Sequence, residues 1–157
     1  MIVVNIPGRD KNLEINTLLL DLNGTISFDG HLIEGVAERI ARLKEKVDIY
    51  LLTADTFGFG AQIAEELEIE FYKVDSEDGD KDKKAFVHRF DAQNVAAIGN
   101  GFNDRSMLSE AGISIVIIGP EGCSPKALAA ADIAVTDINH AFDLLLNPMR
   151  IKATMRA

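Results

Sequence analysis

Three shortages narrow the possibilities before any motif is read. The chain has one cysteine, Cys123, in 157 residues. No internal disulfide can form, and a reducing compartment suits it. Cations are also scarce: 16 Lys and Arg stand against 25 Asp and Glu, for a net charge of −9. A nucleic-acid or anionic-membrane surface needs a basic patch, so both partners are disfavoured. An anionic substrate would need local help from a placed cation. No apolar run nears the length of a membrane span. Met1 to Asn5 lacks the basic start and long apolar core of a signal peptide. The expectation is one soluble, cytoplasmic domain over 1–157. His31, His88 and His140 show no metal-ligand spacing. Cys123 has no basic neighbour in the sequence to activate its thiol.

What is present is a core and a pattern. Hydrophobic residues make up 47% of the chain and charged residues 26%, which is globular rather than disordered. The strongest stretch is Leu18-Leu19-Leu20-Asp21-Leu22-Asn23-Gly24-Thr25. An unbroken apolar run suits a strand covered on both faces. Asp21 then sits at the strand's C-terminal end, where open α/β sheets place their ligands. Asn23-Gly24 alone reads equally well as a hairpin turn.

The rest of the chain decides between these readings. Ile2 to Ile6 and Leu13 to Ile15 flank a Pro-Gly turn and predict an N-terminal hairpin. Thr25 to Phe28 and His31 to Ile33 flank Asp29-Gly30 and predict a small flap over Asp21. Val36, Ile40 and Leu43 have the spacing of a helix face. Strand patterns at 47–52, 69–74, 95–98, 113–118 and 133–135 then alternate with helical ones at 61–67, 83–90, 105–110, 125–131 and 138–146. Residues 75–82 read as an exposed charged loop, and Pro148 as a helix breaker before a loose, basic helical tail. Alternation of this kind predicts a three-layer α/β fold: a Rossmann-like parallel sheet with helices on both faces and right-handed crossovers.

Three of these strands end in polar residues: Asp21 and Asn23, then Thr53, then Asn100 and Asp104. A parallel sheet brings such ends to one edge. Lys83 at a helix start can supply the cation. Carboxylates, a hydroxyl and a lysine suit Mg²⁺-assisted phosphoryl transfer, because Mg²⁺ takes oxygen ligands and an aspartate can be the nucleophile. Plainer roles exist. Thr53 and Asp104 also suit helix N-caps, and Lys83, beside Lys81 and Lys84, suits a solvated face.

As an ordered set, Asp-Leu-Asn-Gly-Thr (21–25), Leu-Thr-Ala-Asp (52–55), Lys83 and Gly-Asn-Gly-Phe-Asn-Asp (99–104) resemble the four motifs of the haloacid dehalogenase-like superfamily. Residues 119–137 look similar to its P-type-ATPase branch, and within it to the small soluble P-type-ATPase-like proteins. The resemblance implies that Asp21 is nucleophile and metal ligand, and that the Asn23 carbonyl, Asn100 and Asp104 hold Mg²⁺. It implies that Thr53 and Lys83, with Lys84 as second choice, hold a phosphoryl group. The implied activity is a phosphohydrolase or phosphotransferase acting on a phosphorylated substrate of unknown identity.

The pattern is broken at two positions. Family phosphatases carry an acid–base aspartate two residues after the nucleophile, and here Asn23 cannot trade protons. General acid–base help is worth about 10²–10⁴ in rate, so turnover should be slow. Asn100 likewise removes a negative charge from the metal shell. A phosphate- or metal-responsive binding protein is the alternative these losses motivate. About 25 residues separate the first two motifs and about 30 the next two, too few for a cap domain. A homo-oligomer could cover the open site.

Overall fold

A computed structural model describes residues 1–55 and 57–157, and of residue 11 only the backbone. The chain opens with β1 (Ile2–Ile6) and β2 (Lys11–Ile15), an antiparallel hairpin forming its own sheet. Ile2, Val4 and Ile6 point inward and Val3 outward, the two-residue period of a half-buried strand. β3 (Thr17–Asp21) is buried along its whole length, as its unbroken apolar run requires. β4 (Ser27–Phe28) and β5 (His31–Leu32) form the flap, with strands of only two residues. Asp29 and Gly30 join them at φ 48° and 78°, the positive values of a tight hairpin turn.

Alternation then takes over. In order come α1 (Val36–Leu43), β6 (Asp48–Thr53), α2 (Phe59–Leu67), β7 (Glu70–Lys73), α3 (Gly79–Val87), β8 (Val95–Gly99) and α4 (Arg105–Glu110). β9 (Ile113–Ile117), α5 (Pro125–Ala130), β10 (Ile133–Val135), α6 (Ile138–Leu146) and α7 (Pro148–Met155) complete the chain. Six strands make one parallel sheet, ordered β10-β9-β8-β3-β6-β7. The chain runs outward from β3 to β7, then returns to the far side of β3 as β8. The switch point therefore lies between β3 and β8, where a crevice opens beyond the strand ends. This is the α/β architecture expected, with no cap inserted among the described residues.

Two cores cover the sheet. Leu18 and Leu20 pack with α1, α2, α6, α7 and the hairpin. Leu19 and Leu52 pack on the other side with Phe86, Val87, Met107, Leu108 and Ala127 from α3, α4 and α5. Alternate residues of a strand face opposite ways, so one leucine run feeds both layers.

The reading of 75–82 as a loop is corrected. α3 begins at Gly79, a turn before Lys83. Asp80 and Asp82 in its first turn complement the positive helix end. The Asp75 carboxylate accepts N–H bonds from Glu77 and Asp78 and turns the chain into the helix. The tail is helical as expected, but it is not loose. Pro148 starts α7 instead of merely stopping α6, since a proline loses nothing at the first helical position. Ile151 is buried against the hairpin layer, and the Ala157 N–H donates to the Pro7 carbonyl at 3.1 Å.

Candidate active site

The strand ends converge. Register pairs Asp21 with Leu52, so Thr53 lies one step beyond it on β6, and Leu20 pairs with Ile98, which sets Asn100 on the other flank. Asp21, Thr53, Lys83, Asn100 and Asp104 are all buried. Lys83 has no exposed surface, and its Nζ donates to Asp21 Oδ1 at 2.7 Å and to Asp104 Oδ1 at 2.6 Å. Lys84 is exposed, 3.6 Å from Glu110. The lysine of the cluster is therefore Lys83, and the solvated-face reading does not hold. Tyr50 and Tyr72 pack on Phe86, at 5.3 and 4.6 Å between ring centroids, and seat α3 so that Lys83 points at the crevice.

Asp104 is held from both sides. Its Oδ2 accepts from the N–H groups of Asn100 at 3.0 Å and Gly101 at 2.9 Å. A Cβ on Gly99 would lie 2.6 Å from its Cγ, so only glycine lets the carboxylate sit there. Asn100 is fixed by its Nδ2, which donates to the Gly122 carbonyl at 3.1 Å. Gly24, at φ 76°, leaves no room for a side chain beside the Asn100 amide.

Thr53 does not cap α2. Its Oγ1 accepts from the Asp55 N–H at 3.4 Å, while Asp55 itself accepts from Gly60 and Ala61 at the helix start. Asn23 is exposed on the turn out of β3. Cys123 is half-buried, and burial pushes its thiol up, which fits an inert residue.

Two contributors have no site role in the sequence reading. Thr25 is fully buried, with its hydroxyl 3.0 Å from Asp21 Oδ2 and 3.3 Å from Asn100 Oδ1. Its position four residues after Asp21 is the available signal. Asp80 accepts from the Ser106 N–H at 3.0 Å and its hydroxyl at 2.7 Å, and pairs with Arg105. That ties α3 to α4 and so Lys83 to Asp104.

Burial pushes the Asp21 carboxyl up to about 6, with the Asp104 charge adding to it and Lys83 and Thr25 opposing. Burial also works against the Lys83 charge, but the two carboxylates outweigh it and hold the ammonium above its ordinary value. Two carboxylates against one ammonium leave a buried negative charge uncompensated. A further cation suits that imbalance. The oxygens to hand are carboxylate, amide and backbone carbonyl, the donor types of Mg²⁺. Among the described residues no group of three His, Cys, Asp or Glu is disposed to hold a metal. Nor is any helix there long and apolar enough to cross a membrane.

Known proteins resemble this chain in sequence and in fold. The pattern of the haloacid dehalogenase-like hydrolase family matches residues 86–143. Two uncharacterized proteins of Methanocaldococcus jannaschii are related. MJ0073 is 52% identical over 62 residues, 40% of this chain and 67% of its own length. MJ0072 is 62% identical over 39 residues, 25% of this chain and 89% of its own. A cobalt-bound deoxy-D-mannose-octulosonate 8-phosphate phosphatase from Haemophilus influenzae shares the fold at a TM-score of 0.73 and 13% identity, covering 92% of this chain and 94% of its own. The corresponding Moraxella catarrhalis phosphatase, solved with magnesium, phosphate and KDO, matches at 0.67 and 18% identity, over 89% and 90%.

Proposed function

We propose that this chain is a haloacid dehalogenase-like hydrolase, a reading supported by the family pattern over 86–143 and by its fold, and that it is a magnesium-dependent phosphomonoester hydrolase or phosphotransferase working through an aspartyl phosphate on Asp21. The observation that carries this is the buried Asp21–Lys83–Asp104 cluster at the switch point of the sheet, with Thr53 on its flank.

Asp21 attacks phosphorus with one carboxylate oxygen. The bond to the leaving oxygen breaks, and the electron pair departs with it. Lys83 and the Thr53 hydroxyl offset the charge on the phosphoryl oxygens. Asp21, the Asn23 carbonyl, Asn100 and Asp104 would hold Mg²⁺, which supplies further charge neutralisation when bound. Asn23 has no proton to give, so the leaving oxygen takes one from water. Water then attacks the same phosphorus, releasing inorganic phosphate and the Asp21 carboxylate, with its proton going to solvent. Both steps lack a positioned acid–base group, so turnover is slow. A long-lived phosphoenzyme of this kind is in keeping with the P-type-ATPase-like subtype. With no cap, a second copy of the chain is the cover this reading carries.

The test is phosphate release from a phosphomonoester with and without Mg²⁺. Release should need the metal and vanish in Asp21→Asn, and beryllofluoride should bind the wild type alone. A protein that neither releases phosphate nor takes up beryllofluoride is not this enzyme. Asn23 and Asn100 favour one other reading, a phosphate- or metal-responsive binding protein, and calorimetric binding of a phosphorylated ligand without turnover would identify it.

A further inference from the structure

A hollow of about 200 Å³ opens beside the cluster, lined by Leu22, Asn23, Thr53, Asp55, Phe57 and Phe59 among others. Two of these, Asn23 and Thr53, are the residues placed above at the leaving oxygen and the phosphoryl group. The hollow thus begins where a substrate's phosphate would end. Its rim is aromatic. Phe57 is 83% exposed and Phe59 51% exposed, so both rings are free to meet a ligand at the mouth of the hollow. Exposed rings at a pocket mouth gain from stacking on another ring. Among the described residues no lysine, arginine or histidine lines the hollow. Asp55 does, an acidic side chain whose carboxylate accepts from the Gly60 and Ala61 N–H groups at the start of α2. A leaving group with its own carboxylate would meet repulsion and no partner. The volume is below the usual range for drug-sized ligands and suits one ring.

Resting on the phosphohydrolase reading, we propose that this hollow is the leaving-group subsite and that it takes a single uncharged aromatic ring, so that the substrate is a monoaryl phosphate. Phe57 and Phe59 hold the ring, and Asp55 excludes anionic alternatives. This sets the chain apart from the Haemophilus and Moraxella phosphatases, whose named substrate is a sugar-acid phosphate.

Equilibrium binding of unreactive phosphonates separates this subsite from the chemistry. With Mg²⁺ present, phenylphosphonate should bind about tenfold or more tightly than methylphosphonate, and 4-carboxyphenylphosphonate should lose that gain. Phe57→Ala and Phe59→Ala should each remove several-fold of the phenyl advantage while leaving methylphosphonate affinity unchanged. Both side chains are largely solvent-exposed, so the variants should fold, and circular dichroism checks this. Equal affinity for phenyl and methyl phosphonates, or tighter binding of the carboxylated ring, overturns the subsite and leaves the phosphoryl site standing. Failure of every phosphonate to bind, methylphosphonate included, overturns the phosphoryl site and the subsite with it.

Discussion

Asn23 and Asp21 are two positions apart and set opposite limits on the chemistry. On the proposed reading Asp21 is a buried nucleophile, whereas Asn23 is exposed and has no proton to trade. Replacing Asn23 with aspartate should raise turnover about tenfold or more, the least a positioned acid–base group contributes. Steady-state kinetics on one phosphomonoester measure it, and an unchanged rate would mean the asparagine is not limiting. Asp21 also makes stability depend on pH. Its carboxyl titrates near 3.8 in the unfolded chain and at about 6 in the folded one. Between those values the folded chain holds a proton that the unfolded chain has released. The resulting stability is complete below the lower value and is lost as pH rises through the upper one. Asp21→Asn removes this group. In metal-free buffer the stability of wild type relative to the variant should therefore fall by about 2 kcal/mol from pH 4 to pH 7. Urea melts at each pH measure the difference.

The elements that carry the site differ in how plainly the sequence announces them. β3, β6 and β8 are legible because an unbroken apolar run ending in a polar residue is a local signal. The start of α3 is not, because Asp75 to Asp82 have the composition of a solvated loop. What makes Asp80 structural is Ser106, 26 positions further on. Thr25 is hidden for a similar reason: a threonine that will be wholly buried looks like any other. α7 is legible as a helical tail but not as a docked one, because the hairpin it packs on lies at the other end of the chain. Lys83 against Lys84 could be separated by helix register, since Phe86 and Val87 fix the inward face. At this scale the sensitive contact is between β8 and the loop before α4. Gly99→Ala should push Asp104 away from Lys83, costing about 1–3 kcal/mol as overpacking does and lowering activity with it. Denaturant melts and phosphate release, run side by side, should fall together.

Across the molecule the two cores divide the labour. The α3–α5 layer carries Lys83 and the approach to Asp104. The other layer, with α7 and the hairpin, lies beneath the far face of the sheet. Ile151→Ala should therefore cost about 2–4 kcal/mol of stability, as a core truncation does, while turnover of the folded protein stays unchanged. A matched loss of turnover would show that the layers are coupled. The buried ion cluster has a kinetic side as well. Lys83 is 62 residues from Asp21 and 21 from Asp104, and the three meet only after β3, α3 and β8 have docked. Closing such loops costs entropy before any contact offsets it, so these charges leave water late on the folding route. Contacts missing from the transition state govern the unfolding rate and scarcely touch the folding rate. Substitutions in the cluster should therefore change how fast the assembled site comes apart and leave the rate at which it forms nearly untouched.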